Sequence, residues 1–151
     1  MTIGLAVHIL AAIVWVGGMF FAYVVLRPAA GALEPPLRLA LWRGVLARFF
    51  PWVWASILGL LLSGYGMLLL GLGGFAGAGV HVHLMQGIGL VMMALFGHLY
   101  FVPWRRLQRA LEQGDNAAAA GQLGQIRRIV LINLCLGLLT AAIGASGRFW
   151  G

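Results

Sequence analysis

Four stretches of the chain hold almost nothing but apolar residues: 3–26, 49–70, 80–102 and 129–147. Each is close to the ~20 residues that carry a helix across a ~30 Å hydrocarbon core. No Asp, Glu or Arg falls inside any of them. Lipid offers backbone groups no water, so each run must satisfy its own hydrogen bonds as a helix. Between the runs the pattern changes. Apolar residues at 37, 41, 45 and 46 alternate with Arg38, Arg43 and Arg48, and Trp104 and Leu107 share a segment with Arg105, Arg106 and Arg109. Both patterns predict amphipathic helices lying in the membrane interface. The expected fold is all-α and integral to the membrane: one domain, residues 1–151, forming a four-transmembrane-helix bundle with two cytoplasmic amphipathic loop segments.

Punctuation residues set the expected ends. Arg27-Pro28 closes the first span, because proline disfavours helix in the residue before it. Pro51 stands in the first turn of the second span, with Trp52 and Trp54 as an interfacial belt. Gly59, Ser63 and Gly66 offer a small-residue packing face on that span. The 71–79 connection has five glycines and no charge, which predicts a short turn-rich loop. Gly114-Asp115-Asn116 predicts another turn, with Asp115 or Asn116 capping the helix that follows.

Composition agrees: 62% of residues are hydrophobic and 9% charged, against ~25% charged in soluble domains, and mean hydropathy is +0.98. The charge is informative through its placement. All ten basic residues are arginine; four lie between the first two runs, five between the last two, and only Arg148 beyond the fourth. This asymmetry predicts both long loops in the cytoplasm and both termini outside. It also explains a pI near 11.4 without nucleic acid, which is not expected as a partner. Acidic lipid headgroups are the expected partner of the arginines between the first two runs. The first run has no basic n-region and exceeds the 7–15 residues of a signal h-region, so it is expected to remain as a span.

Candidate chemistry rests on the histidines. His8 lies 20 residues before Pro28, and His83 lies 20 residues before Pro103. If each proline marks where a helix leaves the membrane, the two imidazoles share a depth on parallel helices. Ionisable side chains in membrane spans are costly and point to function by default. No carboxylate lies near either, which removes hydrolytic machinery, and a zinc site lacks its usual four ligands. Three readings stay open. Haem b would take His8 and His83 as axial ligands, Gly17 and Gly87 to admit the ring, Trp15 on the His8 face, and Arg148 for the propionates. The lone Cys135 supplies no covalent haem attachment motif. A copper ion would take His8, His81, His83 and Met85, the last sharing a face with His81 at i, i+4. His98, 15 residues beyond His83 and about 22 Å deeper, is a further metal-capable residue. The third reading is an accessory subunit whose histidines only pack.

The series His8-x6-Trp15-x-Gly17-Gly18, Arg27-Pro28, Leu33-Glu34-Pro35-Pro36, Arg48-Phe-Phe-Pro51-Trp52, Val82-His83-Leu84-Met85-Gln86-Gly87 and Ile126-Arg127-Arg128 resembles the short, four-helix members of the copper resistance protein D (CopD) family. The resemblance spans nearly the whole chain and implies a multi-pass protein of the bacterial inner membrane associated with copper uptake or homeostasis. The His8-x6-Trp15-x-Gly17 pattern and the His81, His83, His98 spacing are more distantly similar to the membrane-bound, haem-associated protoporphyrinogen oxidase family. His83 stands where that family has a lysine, a departure that argues against the oxidase activity. The expected function is that of a cytochrome b-like electron-transfer protein with haem held near the periplasmic side, exchanging electrons with a quinone or periplasmic redox partner. Whether an oxidoreductase reaction follows is left open. Copper transport or resistance is the alternative. The lipid bilayer is the one partner the pattern requires, and a homo-oligomer is left open.

Overall fold

The computed structural model describes residues 1–71 and 73–150, apart from the side chain of Arg148. Four helices long and apolar enough to cross a membrane account for most of them: α1 (Thr2–Ala30), α2 (Pro35–Gly71), α3 (Val80–Glu112) and α4 (Asn116–Ser146). No strand occurs among the described residues. Each helix overruns its apolar stretch at the end where the arginines gather, and this overrun is where the structure departs from the expected ends.

Arg27-Pro28 does not end α1. The backbone widens into a π-helical segment at Phe21–Leu26 and continues as Arg27–Ala30. Pro103 behaves alike, inside a π-helical Tyr100–Trp104 that runs on into Arg105–Glu112. A proline ring collides with the carbonyl four residues back and removes one N–H. A π-turn relieves the conflict by lengthening the local repeat, so the helix bends past the proline instead of stopping.

The two amphipathic segments are likewise not separate interfacial helices. Residues 37–48 belong to α2, which passes through Pro51 without a break, and 105–112 belong to α3. Leu39, Trp42, Leu46, Phe50 and Val53 recur at helical spacing and are all buried. They meet Trp104, Leu107, Ala119, Leu123 and Ile126 in one core. Burying that stripe against protein removes more apolar surface from water than laying it on headgroups would. Asp115 caps α4, its carboxylate accepting from Ala118 N–H at 2.9 Å, and Gly114 at φ +72° makes the turn before it.

Helix packing divides the bundle into two close pairs, α1 with α2 and α3 with α4; α1 also touches α4. Small residues set the close edges. Gly59 lies against Val7 and Ala11 of α1, and Gly64 against His8. Ser63 shares this face, whereas Gly66 faces open space. On α4, Gly137 sits under Val16 of α1 and Met92 of α3, and Asn133 donates to the Met92 carbonyl at 3.1 Å. The α2–α3 edge is wider and filled by aromatic rings. Phe50 packs edge-on against Phe96, Tyr100 and Trp104 at 5.1–5.9 Å, and Trp54 meets Phe96 and Tyr100 at 5.3 and 5.6 Å. The arginine end is therefore a packed aromatic core, and the opposite, histidine end is held mainly by small-residue contacts.

Candidate metal site at the histidine end

The depth of the two key histidines follows from Gly137. Val16 and Met92 converge on it, so positions 16 and 92 lie at one level. His8 stands eight residues outward from the first and His83 nine from the second, a difference of about one 1.5 Å rise. Equal depth does not give them a common partner. The His8 ring is turned toward α2, its Nδ1 3.0 Å from Ser63 Oγ. The His83 ring lies exposed and stacks on Phe75 of the 71–79 connection, with centroids 6.3 Å apart and 21° between planes.

The His8–Ser63 contact ties the imidazole to α2. Ser63 Oγ–H donates to the Gly59 carbonyl one turn back on α2. A hydroxyl has one proton, so toward His8 the oxygen accepts and Nδ1–H donates. A hydrogen bond from one ring nitrogen is the usual support of a metal-ligating imidazole. Met67 stands one turn further out on α2, its Cγ against Gly4 of α1.

A second face lies between α3 and α4. A side chain at Gly147 would run into the Cβ and ring of His81, and one at Gly144 would meet Met85 Sδ at 2.9 Å. His81 and Met85 therefore occupy successive turns of one α3 face, seated on Gly144 of α4 and on Gly147 just past its end. The His81 ring also packs edge-on to Trp150 at 6.4 Å. Sequence spacing placed His81 beside Met85 but carried no sign of the two glycines beneath them. Imidazole and thioether are ligands suited to copper, thioether favouring Cu(I). No group of three or more His, Cys, Asp or Glu side chains forms a metal cluster among the described residues. A copper ion here would be held by a mixed His/Met set.

The remaining sequence-predicted residues fall elsewhere. Trp15 is 2% exposed and packs edge-on against Phe96 at 6.2 Å, as a core residue. Gly17 and Gly87 are exposed with nothing within 4 Å of where a Cβ would stand; the close approach in that part of α1 is at Gly18, against the Phe49 ring. His98 is exposed near the arginine end. The Arg148 side chain, assigned to haem propionates by sequence, lies outside the described residues. Sequence reasoning missed Ser63 as the partner of His8; its polar side chain inside an apolar run was the available signal.

Comparison with known proteins gives one match. Residues 43–146, more than half of the chain, match the family model described as copper resistance protein D. His81, His83, Met85 and His98 lie inside the matched region, and His8 lies before it. No curated protein and no solved structure matches.

Proposed function

Because the chain belongs to the CopD family, we propose that it is a copper-handling membrane protein of the bacterial inner membrane. It takes Cu(I) at the histidine end, on the His81–Met85 face of α3. The observation that carries this reading is the seating of His81 and Met85 on Gly147 and Gly144. Glycine at both positions leaves room for the imidazole and the thioether on successive turns at the mouth of α3 and α4. A soft thioether beside an imidazole discriminates in favour of Cu(I) over the harder divalent ions. His83, exposed beside Phe75, supplies an imidazole from which an arriving ion can be passed inward. His8, held by Ser63, offers a second station at the same depth between α1 and α2.

The test is competition for Cu(I) between the detergent-purified protein and a colorimetric chelator, with metal analysis of the same sample. About one copper per chain, lost in His81→Ala and Met85→Ala and kept in His98→Ala, is the expected result. Equal retention by all variants would remove the face from the site.

A second reading, haem b held between His8 and His83 in an electron-transfer protein, has one observation in its favour. A His8 imidazole oriented by Ser63 suits an axial ligand as well as it suits copper. A visible spectrum separates the two. A Soret band that shifts on reduction and disappears in His8→Ala favours haem, and a colourless protein with stoichiometric copper favours the first reading.

A further inference from the structure

The imidazole of His81 lies against two glycines that meet different edges of it. A carbon added at Gly147 would run into Cβ, Cγ and Cδ2, and one added at Gly79 would stand 2.8 Å from Cε1 and 2.9 Å from Nδ1. Carbon atoms in contact rest at about 3.5–4.0 Å, so neither position has room for a side chain while the ring stays where it is. Nε2 is the ring atom left over. It stands 4.0 Å from the Gly79 position and is not among the atoms nearest Gly147.

The backbone at Gly79 does not call for glycine. The residue is the N-cap of α3 at φ −68° and ψ 161°, an extended conformation open to any side chain, and no side chain caps the helix there. Ser, Asp or Asn would satisfy one of the free N–H groups of the first turn and stabilise α3. Its Cβ would also take the space the imidazole now fills. A third wall comes from beyond α4. The chain makes a tight turn at Gly147–Phe149, closed by the Trp150 N–H donating to the Gly147 carbonyl at 3.2 Å. That turn sets the half-exposed indole edge-on to the His81 ring, with centroids 6.4 Å apart and 75° between planes.

We propose that Gly79, Gly147 and Trp150 form a slot that holds the His81 imidazole in one side-chain conformation, with Nε2 presented to the incoming Cu(I). Gly79 and Trp150 are positioning residues, acting on the metal through His81. The inference rests on the copper reading and adds what prepares the ligand before the ion arrives. A side chain ordered in advance loses less freedom on binding, and a ligand shared with Met85 must stand at a fixed place. The missing cap on α3 is the stability given up for that placement.

Competition for Cu(I) against a colorimetric chelator tests it, with tryptophan emission followed in the same titration of the full chain in detergent. Gly79→Ser supplies a cap while setting a carbon against the ring. It should unfold at no lower temperature than the wild type and bind Cu(I) about tenfold more weakly. Gly89→Ala, on the same helix with nothing within 4 Å of the new carbon, should bind as the wild type does. Trp150→Leu should weaken binding severalfold and remove the emission change that copper causes at this indole. Trp150→Phe should recover the affinity and leave the emission change absent. Unchanged affinity in Gly79→Ser, or an emission change that survives Trp150→Leu in full, would overturn the slot while copper binding stands. A wild type that takes no Cu(I) would overturn the copper reading itself, and the role of the slot with it.

Discussion

Gly137 and Gly144 lie seven residues apart on one face of α4, and a methyl group added at each separates packing from ligand placement. At 144 the new carbon would stand 2.9 Å from Met85 Sδ, about 0.5 Å short of ordinary contact at 3.4 Å. Roughly 15–20° of rotation about χ2 of Met85 clears it, at well under ~1 kcal/mol. At 137 the methyl would meet Val16 Cγ2 at 2.8 Å and Met92 Cε at 3.2 Å together. Valine is stiff at χ1, so α1 must move away from α4 at about 1–3 kcal/mol. Replacing glycine by alanine in a helix gains up to ~1 kcal/mol in either case, and that gain cancels when the variants are compared. Gly137→Ala should therefore be less stable than Gly144→Ala by about 1–2 kcal/mol in thermal unfolding of the metal-free protein. Cu(I) affinity should move the other way. A shift of about 0.5 Å exceeds the ~0.2 Å tolerance of a metal–ligand distance, so Gly144→Ala should bind about tenfold more weakly. Equal stability of the two variants would refute the crowding argument. Unchanged affinity in Gly144→Ala would refute Met85 as a ligand.

Ser63→Ala should cost about 0.6–1.7 kcal/mol, the range for hydrogen bonds between membrane helices, and unchanged melting would show that its bond to His8 contributes nothing. Asn133→Ala removes the bond to the Met92 carbonyl from a buried site and should cost about 1–3 kcal/mol by the same assay; a smaller loss would mean that water replaces the amide. Trp54→Ala empties part of the α2–α3 edge and should lower stability by about 1–3 kcal/mol, below a fully buried tryptophan because 37% of this one is exposed. Its test is whether chymotrypsin cleavage at the 71–79 connection becomes faster; an unaltered rate would show that the edge closes around the loss.

The number of spans, the glycine turn and the Asp115 cap were legible because they depend on local pattern: twenty apolar residues, a cluster of glycines, an acid before a helix. The helix ends were not. Arg27-Pro28 reads as a stop only if the α-repeat must be kept, and the chain escapes through a π-turn at Phe21–Leu26. The Arg38, Arg43 and Arg48 segment reads as interfacial because half of its surface is charged. What decides its place is the other half, where Leu39, Trp42 and Leu46 continue the stripe of the span that follows. Amphipathicity identifies a buried face without saying whether lipid or protein buries it.

The same distinction governs the histidines. Depth along a helix can be counted in residues, and the count from Pro28 and Pro103 agrees with the level fixed by Val16, Met92 and Gly137. Direction around the axis depends on which neighbour stands close, and that is set by small residues on other helices. Gly64 and Ser63 draw His8 to α2; Gly144 and Gly147 make room for Met85 and His81 beside α4. Three of the four are glycines, with no side chain to single them out as part of a site, and Ser63 signals itself only by a hydroxyl inside an apolar run. Their effect is geometric: by withholding a side chain or presenting one oxygen, they decide which neighbouring helix each imidazole or thioether packs against. An argument from ligand types therefore finds the metal-capable residues of this bundle, and only the packing partners sort them into one site or two.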